Sequence, residues 1–336
     1  MKHFKTFALA ATLAMTGVAA QAQDDGVTYV LATASTGGTY YPVGVALATL
    51  VKVKLEPKQN IGMAAISSAG SGENVRLIRE DEAQFAIMQG LYGYYAATGT
   101  GPLEDVGPQE NMRSVSMLWQ NVEHFIIASD AAETGTMSDM ATLKGEGMAL
   151  GSQNSGTIGS NRTILSGFGI DIDTDYDLVF GGYGPSAEAL QNGQVKGVGI
   201  PAGIPVGAIS QLMASAGDSV TLLSFTDEQI AQADSDRGLW TPFNIPAGTY
   251  PGQKADVQTI AQPNFLATSA DVPEEHVYQL TKAMYENLPF LQAIHPATKA
   301  MSIDRAIAGL PLPLHPGALK YYQEVGIDVP DRLIAK

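Results

Sequence analysis

Cysteine is missing from all 336 residues. No disulfide can hold this chain together, so its stability rests on a packed core. Positive charge is scarce as well. Nineteen Lys and Arg stand against 34 Asp and Glu, for a formal charge of −15. That balance excludes a nucleic-acid partner, whose phosphates require basic patches. The five histidines, His3, His124, His276, His295 and His315, have no spacing that suits a shared metal. The chain has no G-x-S-x-G elbow, no P-loop and no evident carboxylate pair. Gly182-Tyr183-Gly184-Pro185-Ser186-Ala187 fits the dinucleotide pattern in form. It carries Pro185, however, and no acid follows at the required distance. A hydrolase built on Ser155 with His124 or His315 would need a tertiary coincidence. These absences lead to an expectation of no catalytic residues, no metal and no cofactor.

The N-terminus is informative. Met1-Lys2-His3-Phe4-Lys5 is a short basic start, an apolar run extends to Val18, and Ala20-Gln21-Ala22 closes it. This is the pattern of a cleaved secretory signal peptide over residues 1–22, and the run is too short for a membrane span. The chain is therefore expected to be exported. No later segment is long and apolar enough to cross a bilayer, and the remaining length suits two lobes.

The rest of the chain is organised around one stretch. Thr28–Ala32 is apolar and β-favouring, Ser35-Thr36-Gly37-Gly38-Thr39 is a small polar turn, and Pro42 precedes Val43, Leu47, Leu50 and Val51 at helical spacing. Strand, glycine turn and helix together aim free backbone N–H groups at a point above a strand end. The hydroxyls of Thr36 and Thr39 can bond a ligand there, and Tyr40 or Tyr41 can cover it. The same stretch is also an ordinary connection with Thr39 as N-cap. Ile61–Ser68 reads as a second strand, Ala69–Asn74 as a second turn, Val75–Glu82 as a short helix, and Gln84–Gln89 as a third strand. This alternation is that of a parallel α/β sheet, whose ligands sit beyond the carboxyl ends of the strands, where Gln89 lies.

Val115–Ala128 reads as one long strand with a polar break at Gln120–Glu123, passing from one lobe to another. The element order then repeats. Strand Met148–Leu150 leads through Gly151–Thr157 into a helix, and strand Leu178–Phe180 leads through Gly181–Ser186 into another. Val220–Phe225 is a candidate returning hinge strand, Val257–Thr268 a further strand, and the C-terminal helices are expected on the first lobe. Two such units facing each other would set four glycine-rich helix starts around one cleft. Asn154-Ser155-Gly156-Thr157 is the strongest chemical candidate, because its hydroxyls and successive N–H groups can hold a carboxylate without a cation. Ser155 alternatively caps its helix, and Arg162 can reach either the cleft or a surface partner.

The ordered motifs resemble the TAXI family of solute-binding proteins from tripartite ATP-independent periplasmic (TRAP) transporters. The resemblance rests on Thr36–Pro42, Ala69–Asn74, Leu143-Lys144-Gly145, Asn154–Thr157, Ser186–Gly193 and Pro311–Ala318 with Tyr321-Tyr322. It implies an α/β, two-lobed periplasmic solute-binding protein of the type II-like fold, with hinge strands joining the lobes and ligand in the cleft between them. The expected division is 23–121 and 226–336 for lobe I and 122–225 for lobe II, with part of 256–270 pairing with lobe II. It also implies delivery of a small organic acid or amino acid, glutamate or 2-oxoglutarate favoured, to a TRAP membrane permease. Gly38, Thr39 and Tyr40, with Ser71 and Gln89, would face the ligand from the first lobe. Asn154, Ser155, Gly156 and Thr157 would grip its carboxylate from the second. A monomer is expected. A ligand-binding accessory of a membrane sensor and an exported hydrolase are the competing readings.

Overall fold

A computed structural model describes residues 26–335. The signal peptide read at 1–22 lies outside the described residues. Among those described, no helix is long and apolar enough to cross a membrane.

The first sheet begins with β1 (Val27–Ala32), paired in parallel with β2 (Ile61–Ile66) from Val27↔Ile61 to Ala32↔Ile66. β3 (Phe85–Gln89) lies parallel to β1 on its other side and is buried throughout. The helix Tyr40–Lys54 covers this sheet with Val43, Leu47, Leu50 and Val51, the residues spaced for one helical face. Each such side chain stabilises the fold by roughly 1.5–3 kcal/mol through burial. Lys52 and Lys54 in the last turn suit the negative end of the helix dipole.

The stretch read as one long strand, Val115–Ala128, is two strands, and the break falls at Glu123 and His124 rather than over Gln120–Glu123. β4 (Met112–Val122) ends at Val122, and β5 (Phe125–Ala128) starts after Glu123 and His124. β4 runs antiparallel to β11 (Val257–Ser269), which also pairs with β3 and with β10 (Thr241–Ile245). The second sheet has the order β7-β6-β8-β5-β9, where β6 is Gly147–Ala149, β7 Asp177–Leu178, β8 Gly197–Gly199 and β9 Val220–Leu222. β7, β6 and β8 are mutually parallel, whereas β5 is antiparallel to both β8 and β9.

The hinge reading of Val220–Phe225 is corrected by this topology. β9 is an edge strand of the second sheet, paired only with β5 among the described residues. Return to the first sheet falls to β11, whose second half pairs with β4 and β3. Its first half remains with the second lobe. Ile260 and Trp240 pack with Phe125 and Ile164, and Ala261, Ile245 and Tyr250 with Val122 and Ile126. The C-terminal helices pack on the first sheet through Val277, Leu280, Met284, Ala318 and Tyr322.

Candidate functional site

The two sheets face each other across a cleft, and the chain presents a helix N-terminus to it four times. Helices Tyr40–Lys54 and Ser71–Arg79 start from the first lobe, Gly156–Ser166 and Tyr183–Gln191 from the second. Gly38, Ser71, Gly156 and Tyr183 are among the residues that line one cavity, of about 460 Å³ when the space open to solvent at its mouth is included. Among the described residues, the amides of Tyr40, Ser71, Gly156, Thr157 and Tyr183 have no protein acceptor. Each helix start carries about half a positive charge. The cavity is therefore electropositive although no Lys, Arg, His, Asp or Glu lines it.

The lobes are in contact. Gln89 Nε2 donates to Gly156 O at 2.9 Å, and Tyr92 Oη to Ser155 O at 3.2 Å. Thr39 Oγ1 donates to Gly203 O at 2.8 Å, and Glu73 N to Asn154 O at 2.9 Å. Gly156 permits this approach, because a Cβ there would stand 2.8 Å from Ser71 Oγ and 2.9 Å from Gln89 Oε1. The conformation is closed.

Eight of the ten sequence-derived candidates line the cavity: Gly38, Thr39, Tyr40, Ser71, Gln89, Ser155, Gly156 and Thr157. Thr36 and Asn154 do not. Thr36 is exposed at the outer side of its turn. Asn154 is exposed with φ 59°, and this left-handed backbone turns its carbonyl to Glu73 N while the chain enters the helix. Thr39 precedes its helix but its side chain makes no cap, being committed to Gly203. Ser155 does cap, accepting from Ile158 N at 3.1 Å and donating to Ser152 O at 2.7 Å. Ser71 Oγ accepts from Gln89 N at 3.1 Å, leaving its own proton to donate. Burial pushes the Tyr40 phenol far above its ordinary range, so it remains a donor, bonded to Asn264 Oδ1.

Sequence reasoning missed Ser35, Ser152, Tyr183, Pro201 and Ala202 on the wall. The glycine turn before Tyr183 was a usable signal. Pro201 and Ala202 had none, since they reach the cavity only because β8 ends beneath it. Tyr183 Oη donates to Pro201 O at 2.5 Å and therefore accepts from Thr157 Oγ1 at 3.1 Å. Arg162 is turned away from the cleft in a two-pronged pair with Asp173, both contacts 2.8 Å. The imidazoles considered for hydrolysis are committed elsewhere. His124 bonds Ile200 O and Tyr250 Oη, and His315 caps its helix at Gly317 N and bonds Val272 O. Burial lowers the His124 pKa to about 4, so it is neutral at pH 7.

The paired sheets, the crossing strands β4 and β11, and the cavity between the lobes give the chain the two-lobed, type II-like fold of periplasmic binding proteins. Solved structures share it. A protein of Bordetella bronchiseptica RB50 superposes with a TM-score of 0.54 at 11% identity, over 91% of this chain and 86% of its own. The binding component of an ABC phosphonate transporter from Pseudomonas aeruginosa gives 0.53 at 10%, over 83% and 80%. The periplasmic binding protein BugD gives 0.52 at 14%, over 89% and 94%. Residues 31–326 match the NMT1-like family, and the chain belongs to it.

Proposed function

We propose that this protein is a periplasmic receptor for a small organic acid, glutamate or 2-oxoglutarate favoured, which it binds without converting. The observation that carries this reading is the ring of four helix N-termini around a cavity with no charged side chain. Such a ring favours an anion, and several hydrogen bonds share its charge. Because the ligand touches both lobes, binding shifts the population toward the closed form. The TAXI-like motifs support delivery to a TRAP permease, and the phosphonate-transporter and BugD likenesses support the fold of an exported receptor. The protein acts as a monomer that docks on the permease once closed.

The test is the double variant Ser155→Ala, Thr157→Ala, titrated with 2-oxoglutarate and glutamate by calorimetry after ligand removal by unfolding and refolding. Affinity should fall by about tenfold, because Ser155 Oγ caps the helix start whose amides face the cavity and Thr157 Oγ1 holds Tyr183 on its wall. Unchanged affinity in a folded double variant would remove these two hydroxyls from the site.

A further inference from the structure

Asparagine is a poor residue for a helix interior, because its side chain competes with the backbone for hydrogen bonds. Each lobe nevertheless buries one completely in a helix that starts at the cavity: Asn74 in Ser71–Arg79 and Asn161 in Gly156–Ser166. Both turn their amide groups to the strands beneath and not to their own helix. Asn74 Nδ2 donates to Thr33 O at 2.8 Å, just past β1, and to Ile87 O at 2.9 Å in β3. Asn161 Nδ2 donates to Leu150 O at 2.9 Å, just past β6, and to Gly199 O at 3.0 Å at the end of β8. In each case the two strands are parallel neighbours. Gly199 leaves the room for this, since a Cβ there would stand 2.5 Å from the Asn161 amide nitrogen.

The anchor matters because these helix starts keep amides free. Ser71–Arg79 has no side-chain cap. Ser155 caps Ile158 N alone, which leaves the amides of Gly156 and Thr157 to the cavity. Side-chain caps on those amides would occupy the donors a ligand needs, so the helices have to be held from another side. In the first lobe the hold extends to the turn itself. Ser68 Oγ donates to Asn74 Oδ1 at 2.7 Å and accepts from Gly70 N at 3.0 Å. Neither asparagine lines the cavity. We infer that Asn74 and Asn161 are a matched pair of positioning residues, each fixing the helix start through which its lobe offers free amides to the ligand. This inference rests on the reading of those helix starts as the anion site.

The experiment compares Asn74→Ala and Asn161→Ala with Met284→Ala, a core variant beneath the C-terminal helices. Backbone 15N relaxation of refolded, ligand-free protein reads the order of each helix start, and calorimetry with 2-oxoglutarate and glutamate reads affinity. Asn74→Ala should lower the order parameters of Ser71 and Gly72 from about 0.85 to below about 0.6 and leave Gly156 and Thr157 rigid, and Asn161→Ala should do the reverse. Each should bind the acid that the wild type prefers about tenfold more weakly. Met284→Ala should lose thermal stability with neither change. Asn74→Ser and Asn161→Ser, whose hydroxyl serves one strand instead of two, replace an alanine variant that does not fold. Asparagine variants that lose stability but keep rigid helix starts overturn the inference, as do loosened starts with unchanged affinity, and both results leave the acid-receptor reading standing. If the wild type binds neither acid, the acid-receptor reading fails, and the relaxation data still decide whether the asparagines hold the helix starts.

Discussion

Gln89 and Gly156 belong to different lobes, and the side-chain amide of the first donates to the backbone oxygen of the second at 2.9 Å. Gln89 ends β3 and Gly156 opens a helix, so one hydrogen bond ties a strand end to a helix start across the ligand cavity. Gln89→Leu keeps the volume and removes the donor. The lost bond leaves a buried carbonyl short of a partner, at a cost of about 1–3 kcal/mol to the closed form. Ligand affinity should fall by roughly tenfold, read by calorimetry. An unchanged affinity would mean that the bond plays no part in closure.

Gly72 allows the lobes to meet at a second point. A Cβ at this position would overlap Asn154 O, a backbone atom on the other lobe with no freedom to move aside. Within the helix Ser71–Arg79 itself, alanine is favoured over glycine by about 1 kcal/mol. Gly72→Ala should therefore hold or raise the thermal stability of the ligand-free protein while lowering ligand affinity at least about tenfold. Small-angle scattering should show the variant remaining expanded at ligand concentrations that compact the wild type.

Glu123 sits in the break between β4 and β5, fully buried, and its Oε2 has no partner among the described residues. Burial raises its pKa from 4.5 to about 7, against the opposing hydrogen bonds from Ser160, Trp240 and Gln262. The native state therefore keeps this proton to higher pH than the unfolded chain does. The associated stability is present below pH 4.5 and is lost as pH rises through about 7. Glu123→Gln is neutral throughout and retains an acceptor for Ser160 and Trp240. Relative to wild type, the variant should gain up to about 3 kcal/mol between pH 4.5 and pH 8, measured by urea unfolding at both. The opposite dependence contributed by His124 is common to both proteins and drops out of the difference. A stability difference that does not change with pH would contradict the buried, shifted carboxyl.

Much of the fold was legible in the chain. Periodicity at Val43, Leu47, Leu50 and Val51 marks the first helix, and the glycine turns at Gly38, Gly70 and Gly182 mark places where strand gives way to helix. Repetition of that order after Val122 reveals a second lobe. The path back was not legible, because Val220–Phe225 and Val257–Ser269 are both apolar and β-favouring, and only long-range pairing separates an edge strand from a crossing one. Thr36 and Asn154 show the same limit at the site. Both belong to the right turns, but which face of a turn looks inward depends on backbone geometry, such as φ 59° at Asn154. Pro201 and Ala202 carry no chemical signal, since they contribute shape and occupied carbonyls rather than reactive groups.

Whether the cleft holds a small carboxylate between opposed helix starts can be read from a thermal-shift screen of refolded, ligand-free protein. Glutamate, glutamine, 2-oxoglutarate, succinate, pyruvate and acetate would each be present at high excess. A ligand at one hundred times its dissociation constant stabilises by about 2.7 kcal/mol, a shift readily seen. One or two acids should raise the melting temperature, with glutamate or 2-oxoglutarate giving the larger shift. Folded protein that responds to none of these compounds would show that the helix starts do not hold a carboxylate.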